Sequence, residues 1–195
     1  MRRICVFSGS NPGVRPEYQQ AARSLAQEMV VRGLGLVYGG ASVGLMGVMA
    51  DTILAGGGDV IGVIPRGLFR QEIPHKSLSQ LYEVDNMHER KALMADLSDG
   101  FIALPGGFGT FDELFEIITW AQLGLHNKPI GLLNAAGYFA PLLALVVHAS
   151  KEGFIPASHQ SILMYEENPI NLLDRFAAYS PQAKISKWTE LPPER

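Results

Sequence analysis

At 195 residues, 47% of them hydrophobic, the chain is long enough for one domain, 1–195, with a sizeable core and a polar tail from 180. A formal net charge of −3 argues against a nucleic-acid or anionic-membrane partner. One cysteine, Cys5, excludes a disulfide framework and a thiolate metal cluster.

The N-terminal MRRICVFSGS carries two arginines and an apolar stretch too short for a signal peptide. No window approaches the roughly 18 apolar residues of a membrane span, so a cytoplasmic protein is expected. Arg3–Ser8 predicts a first strand, with Cys5 as a buried thiol. Glu17–Arg32 predicts a helix whose apolar positions are Ala21, Leu25, Ala26 and Met29. Gly35–Tyr38 predicts a second strand, Leu45–Ala55 a helix stopped by three glycines, and Asp59–Ile64 a third strand. Pro65–Ser79 is a surface excursion. Leu81–Val84 is a candidate fourth strand, followed by a helix over His88–Asp96 and a fifth strand over Gly100–Leu104. Then come a helix over Phe111–Leu123, a strand over Ile130–Leu133, a helix over Tyr138–Lys151 and another near Ile170–Tyr179.

Short apolar runs without polar alternation are strands covered on both faces. Their alternation with helices predicts a doubly wound, Rossmann-like α/β fold, its mostly parallel sheet carrying helices on both faces. Ligands of such sheets bind outside the carboxyl ends of the strands. Three glycine-bearing turns leave strands at that edge: Ser8-Gly9-Ser10, Gly39-Gly40-Ala41-Ser42-Val43-Gly44 and Gly106-Gly107-Phe108-Gly109-Thr110. Glycine lets a backbone approach a ligand closely and turn its N–H groups inward, so a phosphate ligand is expected. The Walker A pattern fails, because Gly109 is followed by Thr110-Phe111 instead of a lysine. NAD fits poorly, since the first turn lacks G-x-G-x-x-G and the second strand ends without an acid. A ligand with one phosphate fits better.

Asp112 and Glu113 then need an explanation, for acids beside a phosphate should repel it. One reading is a capping box, with Thr110 as N-cap and Glu113 reaching back to its N–H. The other places Glu113, Glu116 and Thr119, spaced by three, as a row beside the phosphate cradle and facing a ribose. Met87-His88-Glu89-Arg90-Lys91 opens the helix before the fifth strand. It is either a solvated helix start or a source of Arg90 and Lys91 to neutralise a phosphate or hold Glu113 ionised. Glu72 could contribute from the excursion. Phe115 and Trp120 read as core. The five histidines show no metal-ligand spacing, and no G-x-S-x-G elbow supports a serine hydrolase.

Leu104-Pro105-Gly106-Gly107-Phe108-Gly109-Thr110-Phe111-Asp112-Glu113 resembles the PGGxGTxxE motif of the LONELY GUY (LOG) family. Met87-His88-Glu89-Arg90-Lys91 resembles its second signature, and ITWAQLGLHNKPIGLLN, the early SGS and YGGASVGLMG are similar as well. The likeness runs over roughly residues 2 to 180. It implies a phosphoribohydrolase that cleaves the N-glycosidic bond of cytokinin riboside 5'-monophosphates, and often of AMP, to free base and ribose 5-phosphate. It implies Arg90 and Glu113 as the catalytic pair. Glu72, Arg90, Lys91, Gly107, Phe108, Gly109, Thr110, Phe111, Asp112, Glu113 and Thr119 fall on its nucleotide-binding positions. Further phosphate or base contacts are expected from Ser8, Gly9, Gly40, Ser42, Gly44, Met87, Gly106 and Glu116. A homodimer, no metal and no cofactor are also implied. The lysine decarboxylase label that many relatives carry is set aside, because Lys91 has a better role as a phosphate partner. The alternative is a non-catalytic nucleotide carrier or sensor on the same fold.

Overall fold

A computed structural model of the chain describes residues 1–66 and 75–181. Its sheet has the order β4-β3-β2-β1-β5-β6-β7, and every neighbouring pair is parallel. The strands are β1 (Arg3–Phe7), β2 (Gly35–Tyr38), β3 (Val60–Pro65), β4 (Gln80–Val84), β5 (Gly100–Ala103), β6 (Ile130–Leu133) and β7 (Leu163–Glu166). The helices are α1 (Pro16–Val31), α2 (Gly44–Ala55), α3 (Met87–Asp96), α4 (Phe108–Gln122), α5 (Ala140–Lys151) and α6 (Pro169–Ala177). Short 3-10 turns span Ala135–Gly137 and Ala157–Ile162. The doubly wound architecture expected from the sequence is present.

Alternation along β1 divides the core. Ile4 and Val6 pack on one face with Leu25 and Met29 of α1, Met49 and Ile53 of α2, and Leu172 and Phe176 of α6. Cys5 and Phe7 point to the other face, among Met94 of α3 and Leu114 and Ile117 of α4, with Leu142 and Leu143 of α5 packed against them. In this central strand every side chain after Arg3 is buried, so near-continuous apolar character is what the position demands.

The chain winds outward from β1 to β4, then crosses back to lay β5 beside β1. The strand order therefore reverses between β1 and β5, and outside the carboxyl ends at such a reversal is where open α/β sheets bind their ligands.

Two elements differ from expectation. Helix α4 starts at Phe108, three residues before the expected Phe111, so the signature's last glycine lies inside the helix. Strand β7 was not expected: Leu-Met-Tyr-Glu lies on the sheet edge and buries only Met164, leaving no apolar run to read. Among the described residues no helix is long and apolar enough to cross a membrane.

Candidate active site

The three glycine turns interlock at the reversal point. The Gly9 N–H donates to the Pro105 carbonyl at 3.0 Å, and the Gly9 carbonyl accepts from the Leu45 N–H at 3.0 Å. A Cβ on Gly106 would lie 2.8 Å from Gly9 N and 2.1 Å from Thr110 Oγ1, so the turns after β1 and β5 close only on glycine. Gly44 has φ +60°, and a Cβ there would meet the Ser10 carbonyl carbon at 2.3 Å. Ser8 is buried at the end of β1. The Gly40 carbonyl accepts from the His75 N–H, and Ser42 is half-buried just before α2.

Helix α4 has Gly107 as its N-cap residue and no side chain caps it. The N–H groups of Phe108, Gly109 and Thr110 form its first turn, where no intrahelical acceptor precedes them; the first regular bond runs from Phe111 N–H to the Gly107 carbonyl. Thr110 is the third helical residue and buried, so it does not act as an N-cap, and the capping-box reading of Thr110 and Glu113 is corrected. A capping arrangement exists one helix earlier. Asn86 Oδ1 accepts from the Glu89 N–H at 2.9 Å, while Glu89 Oε2 accepts from the Asp85 N–H at 3.0 Å. The end of α3 is thus closed by side chains and the end of α4 is left open, with the positive end of its dipole and its free donors at the carboxyl edge of the sheet. Phe108, the first residue of this turn, is 92% exposed.

The charged residues divide into two layers. Arg90 is 6% exposed; its Nε donates to the Val63 carbonyl at 3.1 Å, its Nη2 to the Gly39 carbonyl at 3.2 Å, and its Nη1 lies 3.6 Å from Met87 Sδ. Lys91, the next residue, reaches α4 instead, with Nζ 3.0 Å from Asp112 Oδ2 and 3.0 Å from Glu116 Oε2. Burial alone would lower the Lys91 pKa, but the bonds to Asp112 and Glu116 outweigh it and raise the value. The two acids flanking Glu113 are therefore matched by one ammonium.

Glu113 is half-buried, on the second turn of α4. The thiol of the fully buried Cys5 in β1 is pushed well above its usual range, first by burial and then by the Glu113 carboxylate, with Arg90 opposing. Glu113 and Arg90 thus act electrostatically on the same atom of the central strand.

Thr119 lies further along α4, exposed, its hydroxyl donating to the Phe115 carbonyl at 2.7 Å. Glu72 falls outside the described residues. Phe111 and Trp120 pack against the core, but Phe115 is 43% exposed, correcting its expected place there. Among the described residues no three His, Cys, Asp or Glu side chains gather as a metal-binding group. Two roles in the site escaped sequence reasoning, that of Gly39, read only as part of a glycine turn, and that of Tyr138. Gly39 accepts the Arg90 bond, and Tyr138, after β6, donates its hydroxyl to the Gly106 carbonyl. A local signal did exist for the second: Gly137, with φ +73°, marks a fourth glycine turn leaving the same sheet edge.

Known proteins resemble this chain in sequence and in fold. A family model described as "Possible lysine decarboxylase" matches residues 46–176. The chain is 50% identical over 181 residues to the probable cytokinin riboside 5'-monophosphate phosphoribohydrolase LOGL2 of Oryza sativa subsp. japonica, covering 93% of this chain and 74% of that one. It is 49% identical over 180 residues to the cytokinin riboside 5'-monophosphate phosphoribohydrolase LOG5 of Arabidopsis thaliana, covering 92% and 79%. Among solved structures, the molybdenum cofactor carrier protein of Chlamydomonas reinhardtii superposes with a TM-score of 0.69 at 18% identity, covering 91% of this chain and 99% of that one. At that identity the likeness concerns the fold alone. With about half its residues identical to these plant proteins over nearly all its length, the chain belongs to the LONELY GUY (LOG) family.

Proposed function

We propose that the protein hydrolyses the N-glycosidic bond of nucleoside 5'-monophosphates of the cytokinin riboside type, releasing the free base and ribose 5-phosphate. The observation that carries this reading is the juxtaposition of an uncapped, glycine-opened helix end with a carboxylate one turn further in, in a chain half identical to enzymes named for that reaction. The 5'-phosphate sits on the first-turn N–H groups of α4 and the Thr110 hydroxyl, and the ribose extends over Glu113.

Breaking the C1'–N bond builds positive charge on the ribose, which a carboxylate stabilises. Glu113 supplies that carboxylate and orients or deprotonates the attacking water. The water oxygen bonds to C1', the C1'–N electron pair leaves with the base, and the water's proton ends on the released base. Arg90, fixed by the Val63 and Gly39 carbonyls, supplies a positioned cation to the site. Lys91 holds Asp112 and Glu116 off the phosphate. AMP is a second substrate on this reading.

The same proposal includes a homodimer, supported by exposed apolar side chains on and after α4 (Phe115, Leu123, Leu125) and on α5 (Leu145, Val147). Sedimentation at micromolar concentration tests it.

Base release from isopentenyladenosine 5'-monophosphate and from AMP, by wild type and by Glu113→Gln, tests the chemistry. Free base and ribose 5-phosphate from wild type, with a loss of about 10²- to 10⁴-fold in the folded variant, is expected. Binding of both nucleotides without release would identify a carrier and overturn the hydrolase.

A further inference from the structure

We infer that Tyr138 is a positioning residue for the phosphate-binding turn: its hydroxyl, by holding the Gly106 carbonyl, aims the Gly107 N–H at the 5'-phosphate. The inference rests on the phosphate lying at the α4 turn, as proposed above.

A tyrosine hydroxyl facing a carbonyl can only donate, so the Tyr138–Gly106 bond fixes which way that carbonyl points. In a trans peptide the C=O and the following N–H point in opposite directions, and the described residues contain no cis bond. A carbonyl pinned toward Tyr138 therefore turns the Gly107 N–H away from it. The preceding peptide is fixed in the same way, its Pro105 carbonyl accepting from the Gly9 N–H at 3.0 Å. Two successive peptide planes are held by their oxygens alone.

The need for such a hold follows from the sequence of the turn. Gly106 and Gly107 are consecutive glycines, so the peptide between them meets little steric resistance to rotation. Rotated, it would present an oxygen to the phosphate in place of a donor, exchanging attraction for repulsion.

Tyr138 is itself firmly seated. Its ring meets Tyr18 of α1 edge-on at 5.7 Å and Phe139 at 5.0 Å. Asn134 Oδ1 accepts from the Phe139 N–H at 2.7 Å, tying the turn back to the end of β6. Two residues before Tyr138, Ala136 has φ +48°, the only positive φ outside glycine among the described residues. A conformation that alanine rarely adopts persists only where surrounding contacts impose it.

Tyr138→Phe removes the hydroxyl and keeps both ring contacts. Three quantities are read for wild type and variant: KM for isopentenyladenosine 5'-monophosphate, and competitive inhibition constants for ribose 5-phosphate and for free adenine. Loss of one oriented donor predicts that KM and the ribose 5-phosphate constant both rise about tenfold, while the adenine constant and kcat stay within twofold. Unchanged ribose 5-phosphate binding in the variant would overturn the inference and leave the site assignment intact. Equal weakening of adenine would also overturn it, showing a general structural role. Failure of ribose 5-phosphate to compete with substrate in wild type would overturn the phosphate assignment itself, and this inference with it.

Discussion

A Cβ on Gly39 would lie 2.0 Å from Arg90 Nη2, so the turn after β2 and the guanidinium occupy their places only because residue 39 has no side chain. Gly39 is absent from the positive-φ glycines, and its backbone alone would accept alanine. Gly39→Ala therefore acts through Arg90. It is expected to lower kcat at least tenfold, and to add little in an Arg90→Ala background. A four-member cycle of base-release rates checks the coupling; additive effects would separate the two residues.

Lys91→Met leaves Asp112 and Glu116 without their shared cation beside the anion site. KM for the nucleotide is expected to rise severalfold at low ionic strength and less at high salt, where exposed charges are screened. Asp112→Asn in the same chain should recover part of the loss. Steady-state kinetics at two salt concentrations are enough to see it.

Asn86→Ala opens the capped end of α3. A loss of about 1 kcal/mol in stability is expected, read as a lower urea midpoint with an unchanged slope.

Acid should weaken the fold through Asp99. Its Oδ2 accepts from the N–H groups of Arg2 at 2.5 Å and Arg3 at 3.1 Å, stitching the start of β1 to the turn before β5. Burial alone would raise its pKa, but those two donors outweigh it and hold the carboxyl below its usual value. A depressed folded pKa stabilises above the ordinary aspartate pKa of about 3.9, and the contribution fades as pH falls through the lower folded value. Urea midpoints measured from neutral pH downward should drop more steeply in wild type than in Asp99→Asn, which has already lost the contribution at neutral pH.

Sequence patterning sufficed for the strands through the middle of the sheet, because Ile4–Phe7, Leu36–Tyr38 and Ile130–Leu133 are apolar wherever both faces are covered. It failed at β7, where an edge strand needs only one buried side chain. The glycine turns were legible as a group, since three of them follow strands at one edge. The start of α4 was not, because Thr110 followed by Glu113 imitates a cap, and only the Gly107 backbone shows that the helix has already begun. Arg90 and Glu113 could be named from local motifs. Gly39 and Tyr138 could not be assigned roles, for their partners lie 51 and 32 residues away and no spacing encodes such a pairing.

The burial of Cys5 has a practical consequence. The chain's only thiol lies completely enclosed in the central strand, within the field of Arg90 and Glu113. A thiol reagent can reach it only when the layers on that side part, so its labelling rate is a clock for opening of the reaction centre. A bound nucleotide should slow that clock by the factor its own occupancy dictates. Substrate affinity could then be timed at a single native sulfur atom, with no added label and no turnover.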